Sequence, residues 1–226
     1  MTSTWRELSV SDGSNMAAYT VQPEKEAGRG VIMLQEAFGV NTHIRDVAER
    51  FGRLGYTAIA PDLFHRTAPR FEGDYSDFRK SLPHTKAIKL EGLVADLHAA
   101  HEWLQGHGIT DVAAVGFCMG GRLAVRAAQV LPLRAAASFY GGNLASLGDT
   151  VAEIGAPLLL VWGDRDTHIP PEQRAEFVGK LRENGKSFVE CTFSRAGHGF
   201  FCDQRESYEP ESARAAWALL TAFLQG

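Results

Sequence analysis

Cysteine is scarce. Only Cys118, Cys191 and Cys202 occur in 226 residues, too few and too unevenly spaced for a disulfide framework or a cysteine-based zinc site. Long apolar runs are absent: no stretch approaches the roughly 18 residues of a membrane span. The start, Met1-Thr2-Ser3-Thr4-Trp5-Arg6-Glu7, lacks a basic segment followed by an apolar core, so no secretory leader is read. Basic charge is not in excess, because 23 Lys+Arg against 27 Asp+Glu leave a net charge of −4. That balance argues against nucleic acid and anionic membrane surfaces as partners. There is no internal repeat, low-complexity tract or linker. The expected setting is cytoplasmic and reducing, where Cys118 stays a free thiol. No exposed apolar stripe speaks to oligomeric state.

What is present is an ordinary globular composition, 45% hydrophobic and 22% charged, long enough for one domain with a sizeable core. Trp5–Val10 and Ala17–Val21 flank the turn Asp12-Gly13-Ser14-Asn15 and read as a hairpin. Val31–Leu34, Tyr56–Ala60, Val112–Val115, Ala135–Phe139 and Leu158–Trp162 are short apolar runs of the kind buried parallel strands require. Ser187–Phe193 alternates as a further strand. Helical spacing recurs between them. Ile44, Val47, Ala48, Phe51 and Leu54 follow a cap at Asn41 or Thr42, and Gly55 stops them. Leu90, Leu93, Val94, Leu97 and His101 share a face of a helix over Ile88–Leu104. Further helices are expected over Gly120–Leu131, from Pro170 to about Asn184-Gly185, and from Pro210 to the end, the last with Ala213, Ala216, Trp217, Leu220 and Leu224 inward. Residues 62–86 have no clean period and read as a lid-like or substrate-lining insertion. Strands alternating with helices predict an α/β fold, a mostly parallel central sheet with helices on both faces, in a single domain over residues 1–226.

Chemistry concentrates where strands end. Val112–Val115 runs into Gly116-Phe117-Cys118-Met119-Gly120-Gly121, a strand–turn–helix with a nucleophilic side chain between glycines. Small residues suit a turn this sharp, and the helix N-terminus beneath Cys118 favours a thiolate. A buried structural cysteine beside a glycine turn is the bland alternative. Leu158–Trp162 ends at Gly163-Asp164-Arg165-Asp166, where either aspartate is a candidate acid and either could simply cap the next helix. His198 follows the last strand in Ala196-Gly197-His198-Gly199-Phe200. The order nucleophile, acid, histidine is that of the α/β hydrolases. Catalytic groups of open α/β sheets gather at the carboxyl ends of strands, so the three can converge. His198 would activate the thiol and an aspartate would orient the imidazole. His168 reads as a structural or surface group. His98 and His101 lie one helical turn apart, but no third ligand stands at fixed spacing, so neither metal nor cofactor is expected.

Four segments carry a family resemblance: Leu34-Gln35-Glu36-Ala37-Phe38-Gly39-Val40-Asn41, Ala60-Pro61-Asp62-Leu63-Phe64, Gly116-Phe117-Cys118-Met119-Gly120-Gly121 and Ala196-Gly197-His198-Gly199-Phe200. Together they resemble the dienelactone hydrolases (carboxymethylenebutenolidases), cysteine members of the α/β-hydrolase superfamily. The resemblance implies a Cys118–His198–Asp166 triad, with Asp166 preferred over Asp164 because Gly163-x-x-Asp166 precedes Ile169-Pro170. It implies an oxyanion hole from the N–H groups of Met119 and Ala37, and Glu36 as a carboxylate beside the resting thiol that takes part in its activation. It places Tyr140 in the active site, and Phe38, Arg79 and Phe200 join it as candidates to contact substrate. One departure stands out. The family holds its substrate's carboxylate with arginines, one shortly after the catalytic histidine, whereas here Phe200-Phe201-Cys202-Asp203 follows and the nearest arginine is Arg205. Arg66, Arg70 and Arg79 lie in the insertion.

The expected partner is therefore a small lactone or ester, hydrolysed through a cysteinyl-acyl intermediate. A broad carboxylesterase or thioesterase with the same triad is one alternative. A non-catalytic binding or redox-sensing protein, with Cys118 as an oxidisable thiol, is another.

Overall fold

The computed structural model describes residues 1–25 and 27–226. Its contacts divide into two compact units, Met1–Ala114 and Val115–Gly226, with the boundary inside one strand.

The first unit opens with β1 (Thr2–Ser9) and β2 (Asn15–Gln22), an antiparallel hairpin in register from Thr2↔Gln22 to Ser9↔Asn15. β3 (Arg29–Leu34) and β4 (Thr57–Pro61) pair in parallel, Gly30 opposite Thr57, and β2 joins β4 antiparallel, Ala18 opposite Pro61. The strand order is β1-β2-β4-β3, then β5 (Asp111–Phe117). Val31 to Leu34 and Ala58 to Ala60 are fully buried, as unalternating apolar strands demand. Helix α1 (Thr42–Arg53) links β3 to β4. The Asn41 side chain caps it by accepting from Ile44 N at 3.2 Å, and Gly55, at φ +88°, turns the chain out.

The insertion is ordered. Asp62 is buried and accepts from Arg70 N at 2.6 Å and Phe64 N at 3.0 Å. Burial raises the Asp62 carboxyl above its ordinary range against these bonds. Arg66 forks onto both Asp96 oxygens at 2.8 Å and onto Asp12 Oδ2 at 2.7 Å, and His65 Nε2 lies 3.1 Å from Asp96 Oδ1. Part of the stretch is helical, α2 (Phe78–Ala87), which contains Pro83. Helix α3 (Leu90–Gly106) departs from the expected face. Leu90 is 54% exposed, and Leu93, Leu97, Ala100, His101 and Leu104 make the buried stripe.

The second unit begins with the end of β5 and continues with α4 (Met119–Val130), β6 (Ala135–Phe139), β7 (Leu158–Gly163), α5 (Pro171–Glu183), β8 (Phe188–Phe193) and α6 (Pro210–Phe223). The order is β5-β6-β7-β8. β6, β7 and β8 are parallel, with Ala136 opposite Leu158 and Leu158 opposite Phe188. A 3-10 helix over Leu144–Glu153 was not expected from the sequence. In α6, Ala213, Ala216, Leu220 and Leu224 are buried as expected, while Trp217 is half-buried with its ring 6.3 Å from Phe201. The architecture is the mostly parallel, helix-flanked sheet of the α/β-hydrolase fold. Among the described residues no helix is long and apolar enough to cross a membrane.

Candidate active site

The turn after β5 is as sharp as its glycines require. A Cβ on Gly116 would overlap the Gly120 carbonyl oxygen, and one on Gly121 would stand 2.8 Å from Gly141 Cα. Between them Cys118 sits at φ +54°, ψ −118°, a left-handed backbone that a residue with a Cβ adopts only under constraint. Two backbone bonds impose it: Cys118 N donates to Phe139 O, and Gly121 N donates to Cys118 O, both at 3.0 Å. Helix α4 starts at once with Met119, so its first amides, which have no acceptor within the helix, lie next to the thiol. Cys118 is half-buried and is a free cysteine, as are Cys191 and Cys202.

β7 delivers the acid. Asp166 is 7% exposed and uses both oxygens: His168 N donates to Oδ1 and His198 Nδ1 to Oδ2, each at 2.8 Å. Asp164 is 59% exposed and faces Arg174 at 3.6 Å, so the structure brings Asp166, not Asp164, to the histidine. The same imidazole hydrogen-bonds the Cys118 side chain. With Nδ1 taken by Asp166, Nε2 is the nitrogen left for sulfur. Burial opposes a charge on His198, but the hydrogen bonds to Asp166 and Cys118 and the charges of both outweigh it and push the imidazole up to about 10. Burial likewise works against an ionised Asp166, and the His198 and His168 contacts overcome it and hold the carboxyl below its usual range. His168 is a surface group, 71% exposed, with Nδ1 3.6 Å from Asp166.

These directions fix a dependence on pH. A histidine whose folded value lies above its free value of 6.5 contributes stability that is complete below that value and disappears as pH rises through about 10. The thermal midpoint of the wild type should therefore exceed that of His198→Gln most at pH 6. The gap should close progressively toward pH 10 in calorimetric scans; a gap constant across that range would contradict the arrangement.

Tyr140 and Phe200 are both 0% exposed. Their rings pack edge to face, and Tyr140 meets the His198 ring at 5.2 Å. Tyr140 thus packs against the histidine ring, with Phe200 behind it. Tyr140 also has a left-handed backbone, φ +38°, with its N–H on Val161 O at 2.7 Å. Arg79 lies on α2 with its side chain 93% exposed and Nε 3.5 Å from Asp77. Phe38 is 4% exposed and packs on Tyr75 at 4.7 Å and Phe78 at 6.2 Å.

In the first unit, Glu36 and Ala37 follow β3 in a tight, buried loop. Tyr75 O–H donates to Glu36 Oε2 at 2.8 Å, and Asn41 Nδ2 donates to the Tyr75 oxygen at 2.9 Å. Gln35 Oε1 accepts from Leu63 N at 3.0 Å. Tyr75 was not singled out in the sequence, where it is one aromatic among many in an aperiodic stretch.

Asp166, His168 and His198 bring potential ligand atoms within 4.8 Å of one another. Their polar atoms already serve one another, and a metal on Nδ1 would have to displace the proton His198 shares with Asp166. His98 and His101 belong to no three-ligand cluster among the described residues. Burial pushes His101 down and keeps it neutral.

This fold, with a strained cysteine at the turn between β5 and α4, defines an α/β-hydrolase-fold protein. Residues 16–226 match the Dienelactone hydrolase family, and the chain belongs to that family. A Synechocystis sp. protein named "Putative carboxymethylenebutenolidase" is 36% identical over 214 residues, covering 86% of this chain and 85% of that one. A Bradyrhizobium sp. protein named "Probable 2-oxo-3-(5-oxofuran-2-ylidene)propanoate lactonase" is 30% identical over 227 residues, covering 94% of this chain and 90% of that one. Among solved structures, "Putative Dienelactone Hydrolase" from Klebsiella pneumoniae subsp. pneumoniae superposes with a TM-score of 0.88 at 32% identity, over 100% of this chain and 99% of that one. With these relatives, the chain is a hydrolase.

Proposed function

We propose that the chain opens a lactone or small ester through a Cys118–His198–Asp166 triad and a cysteinyl-acyl intermediate. The observation that carries this reading is His198, bonded to Asp166 on one side and to Cys118 on the other and charged at neutral pH. By the family resemblance, Glu36 takes part in forming the thiolate beside this imidazolium when substrate binds. The sulfur attacks the carbonyl carbon, and the π pair moves onto oxygen, where the Met119 N–H receives it. The family resemblance supplies Ala37 as the second donor and Glu36 as the carboxylate that takes part in activating the thiol. Collapse of the adduct breaks the ring C–O bond, and the departing oxygen takes the proton of His198. The sulfur is now an uncharged thioester, so one partner that held His198 high is gone and the neutral imidazole can take a proton from water. Water adds, the thiolate leaves, and the ion pair is restored.

Thiolate is itself a good leaving group, so an alkoxide is expelled poorly from the tetrahedral adduct. An enolate competes better, which favours an enol lactone over an ordinary ester. We place the enzyme in a reducing, cytoplasmic setting, where its three free cysteines persist.

The test is turnover of an enol lactone and of an activated aryl ester by reduced protein, with mass spectrometry of the Cys118 peptide after rapid quenching. Ring opening with an acyl adduct on that peptide is expected. Ester turnover without lactone turnover would move the substrate to the carboxylesterase alternative. No turnover of either, with no adduct, would end the enzyme mechanism and leave the redox-sensing reading.

A further inference from the structure

Two segments of the first unit are fastened together, the loop after β3 (36–41) and the stretch 71–75 of the insertion. Gly73 N donates to Phe38 O at 3.0 Å. Arg45 Nη1 donates to Val40 O at 2.7 Å and to Glu72 Oε1 at 2.6 Å. Gly39 sits at φ +79°, and a Cβ there would overlap the Phe71 carbonyl oxygen. Phe38 and Tyr75 pack ring to ring at 4.7 Å. Ser76 N donates to Asp74 Oδ1 at 2.8 Å, which fixes the backbone on both sides of Tyr75. This packing brings one hydroxyl to one carboxylate. Tyr75 O–H lies 2.8 Å from Glu36 Oε2, and Glu36 is 0% exposed. The direction of that bond is set by the cap of α1. Asn41 spends Oδ1 on Ile44 N at 3.2 Å, so its amide nitrogen is the group that faces Tyr75, 2.9 Å from the phenol oxygen. An amide nitrogen only donates. The phenol has one proton, and with Asn41 donating to its oxygen that proton goes to Glu36.

We infer that Tyr75 is a positioning residue that holds the Glu36 carboxylate in the orientation from which it helps activate Cys118. This rests on the proposed cysteine mechanism and on the part that Glu36 takes in it by family resemblance. A carboxylate withdrawn from water needs donors. Its terminal torsion is also broad, so a carboxylate held only by its own side chain would aim poorly. The Tyr75 bond fixes Oε2 and with it the plane of the group. The ring contact with Phe38 and the Gly73–Phe38 bond keep the phenol from moving off. The donor comes from the insertion, so the aperiodic stretch has a part in the chemistry through this one hydroxyl. Activation of the thiol precedes acylation, whereas deacylation uses water and His198. Tyr75 should therefore matter to formation of the acyl-enzyme and not to its hydrolysis.

The experiment separates the two steps with an activated aryl ester. Release of the aryl alcohol in the first turnover reads acylation. Loss of the acyl group from the Cys118 peptide, followed by mass spectrometry after quenching, reads deacylation. Tyr75→Phe keeps the ring against Phe38 and removes the hydroxyl alone. It should slow acylation by about tenfold and leave deacylation within twofold of wild type. In a Glu36→Gln background the same change should cost less than twofold, because the group it acts through is already gone. A merely structural role would slow both steps, lower the thermal midpoint and persist in that background. Asn41→Ser keeps a capping hydroxyl but is too short to reach the phenol, and it should shift acylation in the same direction should Tyr75→Phe not fold. Acylation within twofold of wild type in Tyr75→Phe, or an equal loss with and without Glu36, would overturn the inference and leave the cysteine mechanism standing. A Glu36→Gln variant that acylates like wild type, or a wild type that forms no acyl adduct with ester or lactone, would remove the reading beneath it, and the inference with it.

Discussion

Cys118→Ala should abolish hydrolysis, lowering kcat/KM by about 10⁴-fold or more. The methyl group of alanine cannot form the acyl bond, and water in its place would have to attack without the covalent step. What remains is the Met119 amide and whatever binding the pocket supplies, worth a small residue of rate. The fold should survive. Cys118 makes no side-chain cap, and its backbone bonds to Phe139 O and from Gly121 N do not involve the thiol. Alanine keeps the Cβ, so the strain of φ +54° is unchanged. The measurement pairs steady-state turnover with a thermal melt. Retention of a tenth of wild-type turnover by folded Cys118→Ala would show that the sulfur is not the nucleophile. Cys191→Ala is the control, a half-buried position on β8 outside the His198 network, and it should stay within twofold of wild type.

Much of this arrangement is legible in the chain because it is written in short-range rules. The buried strands carry unbroken apolar runs, and their observed limits fall within two or three residues of those read from sequence. Asn41 caps α1, and Gly55 and Gly185 leave their helices at positive φ. The nucleophile turn is legible because sterics leave little choice. A Cβ at Gly116 or Gly121 would meet backbone atoms, so the two positions call for glycine.

What was not legible depends on contacts far apart in sequence. The face of α3 was misjudged at Leu90, since helical spacing ranks leucines without revealing that alanines and a paired Asp96 fill the buried side. Asp96 lies inside because Arg66 and His65 satisfy it, and no local pattern announces such a network. The surroundings of Tyr140, Phe200 and Arg79 are likewise set by contacts distant in sequence: the first two are enclosed and the third is in solvent.

Gly116→Ala should cost more stability than any substitution of a triad residue. The added Cβ would overlap the carbonyl oxygen of Gly120, a backbone atom in the first turn of α4. A flexible side chain could swing away, but this oxygen moves only if the helix start moves with it. Shifting that start would disturb the Gly121 N–Cys118 O bond at 3.0 Å and the approach of Gly121 to Gly141. The energy lost is about 3 kcal/mol or more, which for a chain of this size lowers the thermal midpoint by about 6–12 °C. The same movement re-aims Cys118 relative to His198, so turnover should fall well beyond what partial unfolding at the assay temperature explains. Circular dichroism melts and turnover at 20 °C check both parts. A midpoint within 2 °C of wild type would show that the turn is looser than its packing indicates. A destabilised variant with wild-type turnover would show that the aim of Cys118 does not depend on where α4 begins.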